Sequence, residues 1–190
     1  MNIFVLDTDP VTAAQQQCDK HVVKMIVESA QMLSTAHRLL DGNVQVKEKY
    51  VRGSLPARWR KVRVWNLDNP TMENTLYLVA HAKHPCTLWT MESSCNYEWH
   101  YQHFIALCDE YTYRYEKVHA TDTKLRHLLK QHPINIPKGG MTQFALAMKA
   151  HPECMFTDNP VKSYRMFYET KKDRFKMVWS KRNTPEWFCG

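Results

Sequence analysis

The chain has 190 residues and a mass of 22.5 kDa, enough for one domain with a true hydrophobic core. Aromatic residues make up 12% of it and no apolar run nears the roughly eighteen residues of a membrane span, which excludes a disordered chain and a membrane protein. A net charge of +7 and a pI near 9.1 point to DNA or a nucleotide as partner, because Lys and Arg gain affinity by displacing counterions from phosphates. A basic protein without such a partner is the alternative reading.

The opening Met1-Asn2-Ile3-Phe4-Val5-Leu6-Asp7 is apolar and extended, and it lacks the basic flank and small-residue cleavage site of a secretory signal. A cytoplasmic location follows as the expectation. The six cysteines lack zinc-site spacing, so reduced, mostly buried thiols are expected, with no metal and no cofactor.

Asp9-Pro10 marks a helix start, Asp as N-cap and Pro at the first helical position, and Asp41-Gly42-Asn43 ends the run. One continuous helix from about Pro10 to Leu40 is predicted. On it His21, Lys24, Glu28, Gln31, Thr35 and Arg38 recur at steps of three and four, forming a polar stripe opposite Val22, Met25, Ile26, Ser29, Met32, Leu33 and Ala36. Such a stripe is either an ordinary solvated face or a site in which a carboxylate, an imidazole, an ammonium and an amide converge.

Strand signal is confined to the first few residues and to Val44 through Val51. A basic stretch follows, with Arg52, Arg58, Trp59, Arg60, Lys61, Arg63 and Trp65. Cations interleaved with Trp suit a loop that tracks phosphates and stacks on bases, or equally a solvated loop with Trp anchors.

His84-Pro85 opens a second long helix to about Lys117, dense in aromatic residues and therefore central. Trp89, Glu92, Asn96, Trp99 and His103 recur at helical steps along it and face either the Glu28 stripe or ordinary packing partners. Thr121-Asp122 caps a short helix to about Lys130, and Thr142 to Lys149 reads as another. Asp158-Asn159-Pro160 caps a last helix carrying Tyr164, Phe167, Tyr168, Phe175 and Trp179 on one side and Arg165, Lys171, Lys172, Arg174 and Lys176 on the other. The expected fold is mainly α, a compact single-domain helical bundle with two long central helices and a short extended N-terminus. Residues 1–120 form its core, with a basic insertion near 44–70, and 121–190 a helical extension packed on it.

Five glycines and no glycine-rich phosphate loop close the usual routes to a P-loop or dinucleotide enzyme, and no serine nucleophile elbow is present. What remains is acid, base and amine chemistry on helices, which suits cleavage of an N-glycosidic bond.

Asp19-Lys20-His21 with Glu28 seven residues after the histidine resembles the first helix of the pyrimidine-dimer DNA glycosylases of the phage endonuclease V type. Lys83-His84-Pro85-Cys86-Thr87-Leu88-Trp89 is similar to the start of the second long helix in their bacterial relatives, and Leu107 through Arg114 to its end. The resemblance covers residues 10 to 120 and extends to uncharacterised phage proteins, which implies a phage-encoded chain acting in the host cytoplasm.

In that family the α-amino group of the mature N-terminus attacks the sugar carbon and the helical glutamate assists. The resemblance therefore implies Glu28 as essential carboxylate, with His21 and Lys24 beside it and Asn2 as the amine donor once Met1 is removed. The chain departs from the family at Val27 and Ile3, where the family has arginines, and at Asn2, which is larger than the residues that normally allow Met1 to be trimmed.

Candidate substrate-binding residues are Asp19, Gln31, His84, Trp89, Glu92, Asn96 and Arg114, with Arg58, Arg60, Lys61 and Arg63 on the basic stretch. The leading expectation is an enzyme acting on DNA or a nucleotide at an N-glycosidic bond, in DNA repair or modification. The alternatives are a non-catalytic protein that captures a nucleotide or modified base, as in sequestering a host defence signal, and a basic DNA-binding accessory protein.

Overall fold

The structure, a computed structural model, describes residues 1–51 and 58–189. Arg52 of the basic stretch lies outside them, and of Arg58 only the backbone pairing is described. Among the described residues, seven α-helices, a two-stranded sheet and one short 3₁₀ turn follow in the order α1 (Pro10–Gln15), α2 (Asp19–Asp41), β1 (Asn43–Val51), β2 (Arg58–Asn66), α3 (Pro70–Thr75), α4 (Pro85–Glu92), α5 (Ser94–Tyr115), α6 (Ala120–Leu125), the 3₁₀ turn (Pro152–Cys154) and α7 (Pro160–Glu169).

The bundle built on two long continuous helices does not form. The run expected from Pro10 to Leu40 breaks at Cys18, whose extended backbone (ψ 162°) directs its N–H to the Tyr168 hydroxyl at 2.8 Å. The second run breaks at Ser93 (φ −153°, ψ 158°), whose side chain accepts the Asn96 N–H and so caps α5 instead of continuing α4. The stretch expected to be a basic loop is instead strand β2, paired antiparallel with β1 from Asn43↔Asn66 to Val51↔Arg58.

Further along, α6 is capped by His119 and ends at Leu125, residues 142–148 are not helical, and the last helix stops at Glu169. The Asn159 cap holds, its side chain accepting the Lys162 N–H at 2.9 Å. The strand expected in the first few residues is absent, and Ile3, Val5 and Leu6 are buried as irregular chain.

Buried apolar side chains from Ile3 to Trp179 form one cluster in which α2 packs on α4 and α5. Arg38, 1% exposed, ties the sheet to this core: its guanidinium donates to the carbonyls of Tyr77, Trp65, Glu73 and Leu76 and pairs with the Glu73 carboxylate at 2.7 Å. No helix among the described residues is long and apolar enough to cross a membrane.

Candidate functional site

The N-terminal segment crosses α2 so that residues 1 and 2 reach Glu28. The Asn2 backbone N–H donates to Glu28 Oε2 at 3.0 Å, and the Met1 amino nitrogen stands 3.6 Å from the same oxygen. Lys24, one turn back on α2, approaches Oε1 at 3.2 Å.

Asn2 sets this geometry locally. Its Oδ1 accepts the N–H groups of Ile3 (2.8 Å) and Phe4 (3.0 Å), and its Nδ2 donates to the Ala147 carbonyl at 3.2 Å. That bracing holds Phe4 at φ 53°, a left-handed conformation costing a non-glycine residue on the order of 1–3 kcal/mol. The tight turn aims the chain end at α2 and the Phe4 ring at His21, 4.8 Å away and stacked.

Around Glu28 lies a cleft of about 250 Å³ whose lining includes Phe4, His21, Phe167, Phe175, Lys171 and Arg174. Larger hollows occur along α7 and α5, but neither is lined by the chain end. Because α7 ends at Glu169, the following turn brings Lys171, Arg174 and Phe175 over α2. Lys171 is 7% exposed, its Nζ lies 3.4 Å from the Phe167 ring centre, and it donates to Thr170 Oγ1. Burial pulls its amine down to about 8, with the Arg174 and Lys24 charges acting the same way.

His21 is held by the Tyr168 hydroxyl, 2.7 Å from Nδ1. Burial, then the Lys24 and Lys171 charges, bring its imidazole down to about 4, so it is neutral near pH 7. His84 caps α4 through Nδ1 and sits near enough to the chain end that, after burial, the amino terminus is the main charge lowering its pKa.

The other expected site residues lie elsewhere. Asp19 receives Arg114 Nη1 at 2.8 Å and both the N–H and hydroxyl of Ser180, while Arg114 also binds Glu110 and the Gln15 carbonyl. This network fastens α2, α5 and the C-terminal segment together. Trp89 is 1% exposed against Trp99 and Phe144, unable to stack on a ligand base. Asn96 bonds the Trp89 carbonyl and Thr142, and Glu92 accepts the Thr142 hydroxyl. Gln31 is half-buried farther along α2, outside the cleft lining. Arg60, Lys61 and Arg63 are exposed on β2.

Sequence reasoning missed Lys171, Arg174 and the three phenylalanines as cleft residues. The signal for Lys171, Arg174 and Phe175 was the basic and aromatic run after Glu169, misassigned to a longer helix; Phe4 and Phe167 lie before it. Comparisons with protein-family models, with curated proteins and with solved structures return no match to this chain.

Proposed function

We propose that this chain acts on a nucleotide or on DNA at an N-glycosidic bond, through an amine held against Glu28. The observation that carries this reading is the Asn2 nitrogen 3.0 Å from Glu28 Oε2, with the Met1 amine 3.6 Å away. With Met1 removed, the first of these nitrogens is the free α-amine; with Met1 retained, the second is. Either way one carboxylate and one amine share a cleft, the pairing that amine-nucleophile catalysis requires.

In the proposed step the neutral amine bonds to the sugar C1′ while the C1′–N bond to the base breaks. The base leaves with that electron pair and takes up a proton, and the attacking nitrogen gives one to Glu28. Opening of the sugar ring then yields an imine. Lys24, Lys171 and Arg174 supply positive charge for a flanking phosphate, and Phe4, Phe167 and Phe175 an aromatic wall. His21, neutral near pH 7, shapes the cleft wall.

The test is borohydride trapping on an oligonucleotide with an abasic site, whose aldehyde condenses with an amine. A covalent adduct mapped to the first residue, and lost in Glu28→Gln, supports the reading. No adduct in the wild-type chain removes it.

The excess of cations over carboxylates in the cleft favours a second reading, capture of a nucleotide without turnover. Native mass spectrometry separates the two: an unaltered nucleotide carried through purification, with no adduct in the trap, selects capture.

A further inference from the structure

Residues 43–66 contain seven of the Lys and Arg residues and a single acid, Glu48, so this hairpin alone accounts for six of the seven net positive charges on the chain. It is also unusually bare. Val44, Val46, Tyr50 and Trp59 are 57, 64, 44 and 66% exposed, although large apolar side chains on a two-stranded ribbon ordinarily find cover.

The register sorts the ribbon into two faces. Val44, Val46, Glu48 and Tyr50 stand opposite Trp65, Arg63, Lys61 and Trp59 on one face; Gln45 and Lys47 stand opposite Val64 and Val62 on the other, which Arg60 shares. Exposed cations therefore project from both faces, Lys61 and Arg63 from the first and Lys47 and Arg60 from the second. Tyr50 and Trp59 meet across the strands at 5.6 Å, at the end of the ribbon far from the Arg38 anchor.

We infer that the β1–β2 ribbon is an arm that enters the major groove of duplex DNA. A ribbon seated in a groove turns one face to the base edges, and long Lys and Arg side chains on both faces reach the phosphate backbones that flank it. The major groove, about 12 Å wide, admits a two-stranded ribbon. Nine-residue strands span about 30 Å, close to one turn of B-DNA. The deep, narrow major groove of duplex RNA excludes it. Trp59 and Tyr50 then supply apolar contact to base edges, thymine methyl groups among them.

This inference is independent of the chemistry at Glu28, because the arm and the cleft are built from different elements. Binding of the full-length protein to a short fluorescein-labelled duplex is measured by anisotropy across about 50 to 200 mM salt. The variant Lys47→Gln/Lys61→Gln/Arg63→Gln is expected to flatten the slope of log K against log salt by about three, one per cation, and to weaken low-salt binding by about a hundredfold. Glu48→Lys works in the opposite direction, steepening the slope by about one and tightening binding. The arm variants are read in anisotropy and Glu28→Gln in the borohydride trap, so a failed cleft and a failed arm are told apart.

Wild-type affinity and slope in the triple variant would overturn the inference. So would absence of wild-type binding to the duplex, or tighter binding to the single strand or duplex RNA of the same sequence.

Discussion

Glu28 Oε2 accepts the backbone N–H of Asn2 at 3.0 Å across 26 positions of sequence, a contact that exists only because the Asn2 side chain folds the chain end back on itself. Asn2 is thus a positioning residue, and its amide can be altered without touching the carboxylate. Asn2→Ala removes both acceptor bonds and the tie to Ala147, releasing the Phe4 turn. We expect imine trapping to fall at least about tenfold, the effect of misplacing a reacting group by a fraction of an ångström to an ångström, while Glu28 remains intact. Asn2→Asp, which keeps the acceptor oxygen, recovers part of that loss. Equal trapping by Asn2→Ala and the wild type would mean that the chain end finds Glu28 unaided.

Lys171 gives the cleft a pH signature. Its amine is lowered to about 8, so it gains its proton as pH falls through that value. An anion entering the cleft favours the ammonium and raises the pKa. Competitive acetylation followed by peptide mapping is expected to show Lys171 titrating near pH 8, and a nucleoside monophosphate is expected to move that midpoint upward and slow its modification. A midpoint unmoved by saturating nucleotide would show that Lys171 does not meet the phosphate.

Single helix caps and the mainly helical character were legible in the sequence, whereas the bundle of two long helices was not, and the misses share a physical cause. The α7 cap at Asn159 and the position of Glu28 on a helix rest on signals within a few residues of each other. The break at Cys18 rests on the Tyr168 hydroxyl 150 positions away, and no local glycine or proline announces it. In strand β2 the half-buried Val62 and Val64 alternate with exposed Lys61 and Arg63, but that alternation covers only four residues and is followed by Trp65, so the basic residues around it read as loop. Trp89 and Asn96 have the helical spacing of a ligand face, but the same spacing serves a core, and the segment around Thr142 and Phe144 decides the matter by covering them.

Buried imidazoles make the fold acid-sensitive. Burial lowers His21, His37 and His103 to about 4 and His100 to about 3, all below the value near 6.5 of an unfolded chain. Between those limits the unfolded chain binds more protons than the folded one. The stability these groups contribute is complete above about pH 6.5 and is lost as pH falls toward 4 and below, at up to about 1.4 kcal/mol per pH unit for each histidine. Urea unfolding at pH 7, 5.5 and 4.5 should show a steep decline. A flat profile would mean that these rings acquire charge without opening the core.

Arg38 is the residue on which the arm's attachment depends. It is almost wholly buried and serves four carbonyls and one carboxylate, on β2, α3 and the chain just beyond α3. Arg38→Met keeps the aliphatic stem but leaves Glu73 without its cation and those carbonyls without a donor, so a loss of about 3–5 kcal/mol is expected in chemical denaturation. Glu73 also accepts the Leu67 N–H at 2.8 Å, so the damage should spread to the base of the ribbon and appear as faster amide exchange there. Trp59→Ala, at the exposed far end, is the control and should change stability by less than about 0.5 kcal/mol. If Arg38→Met were as mild as Trp59→Ala, the ribbon would be held by the packing of Trp65 and Leu67 alone, and the guanidinium would have to be replaceable by water at every one of its partners.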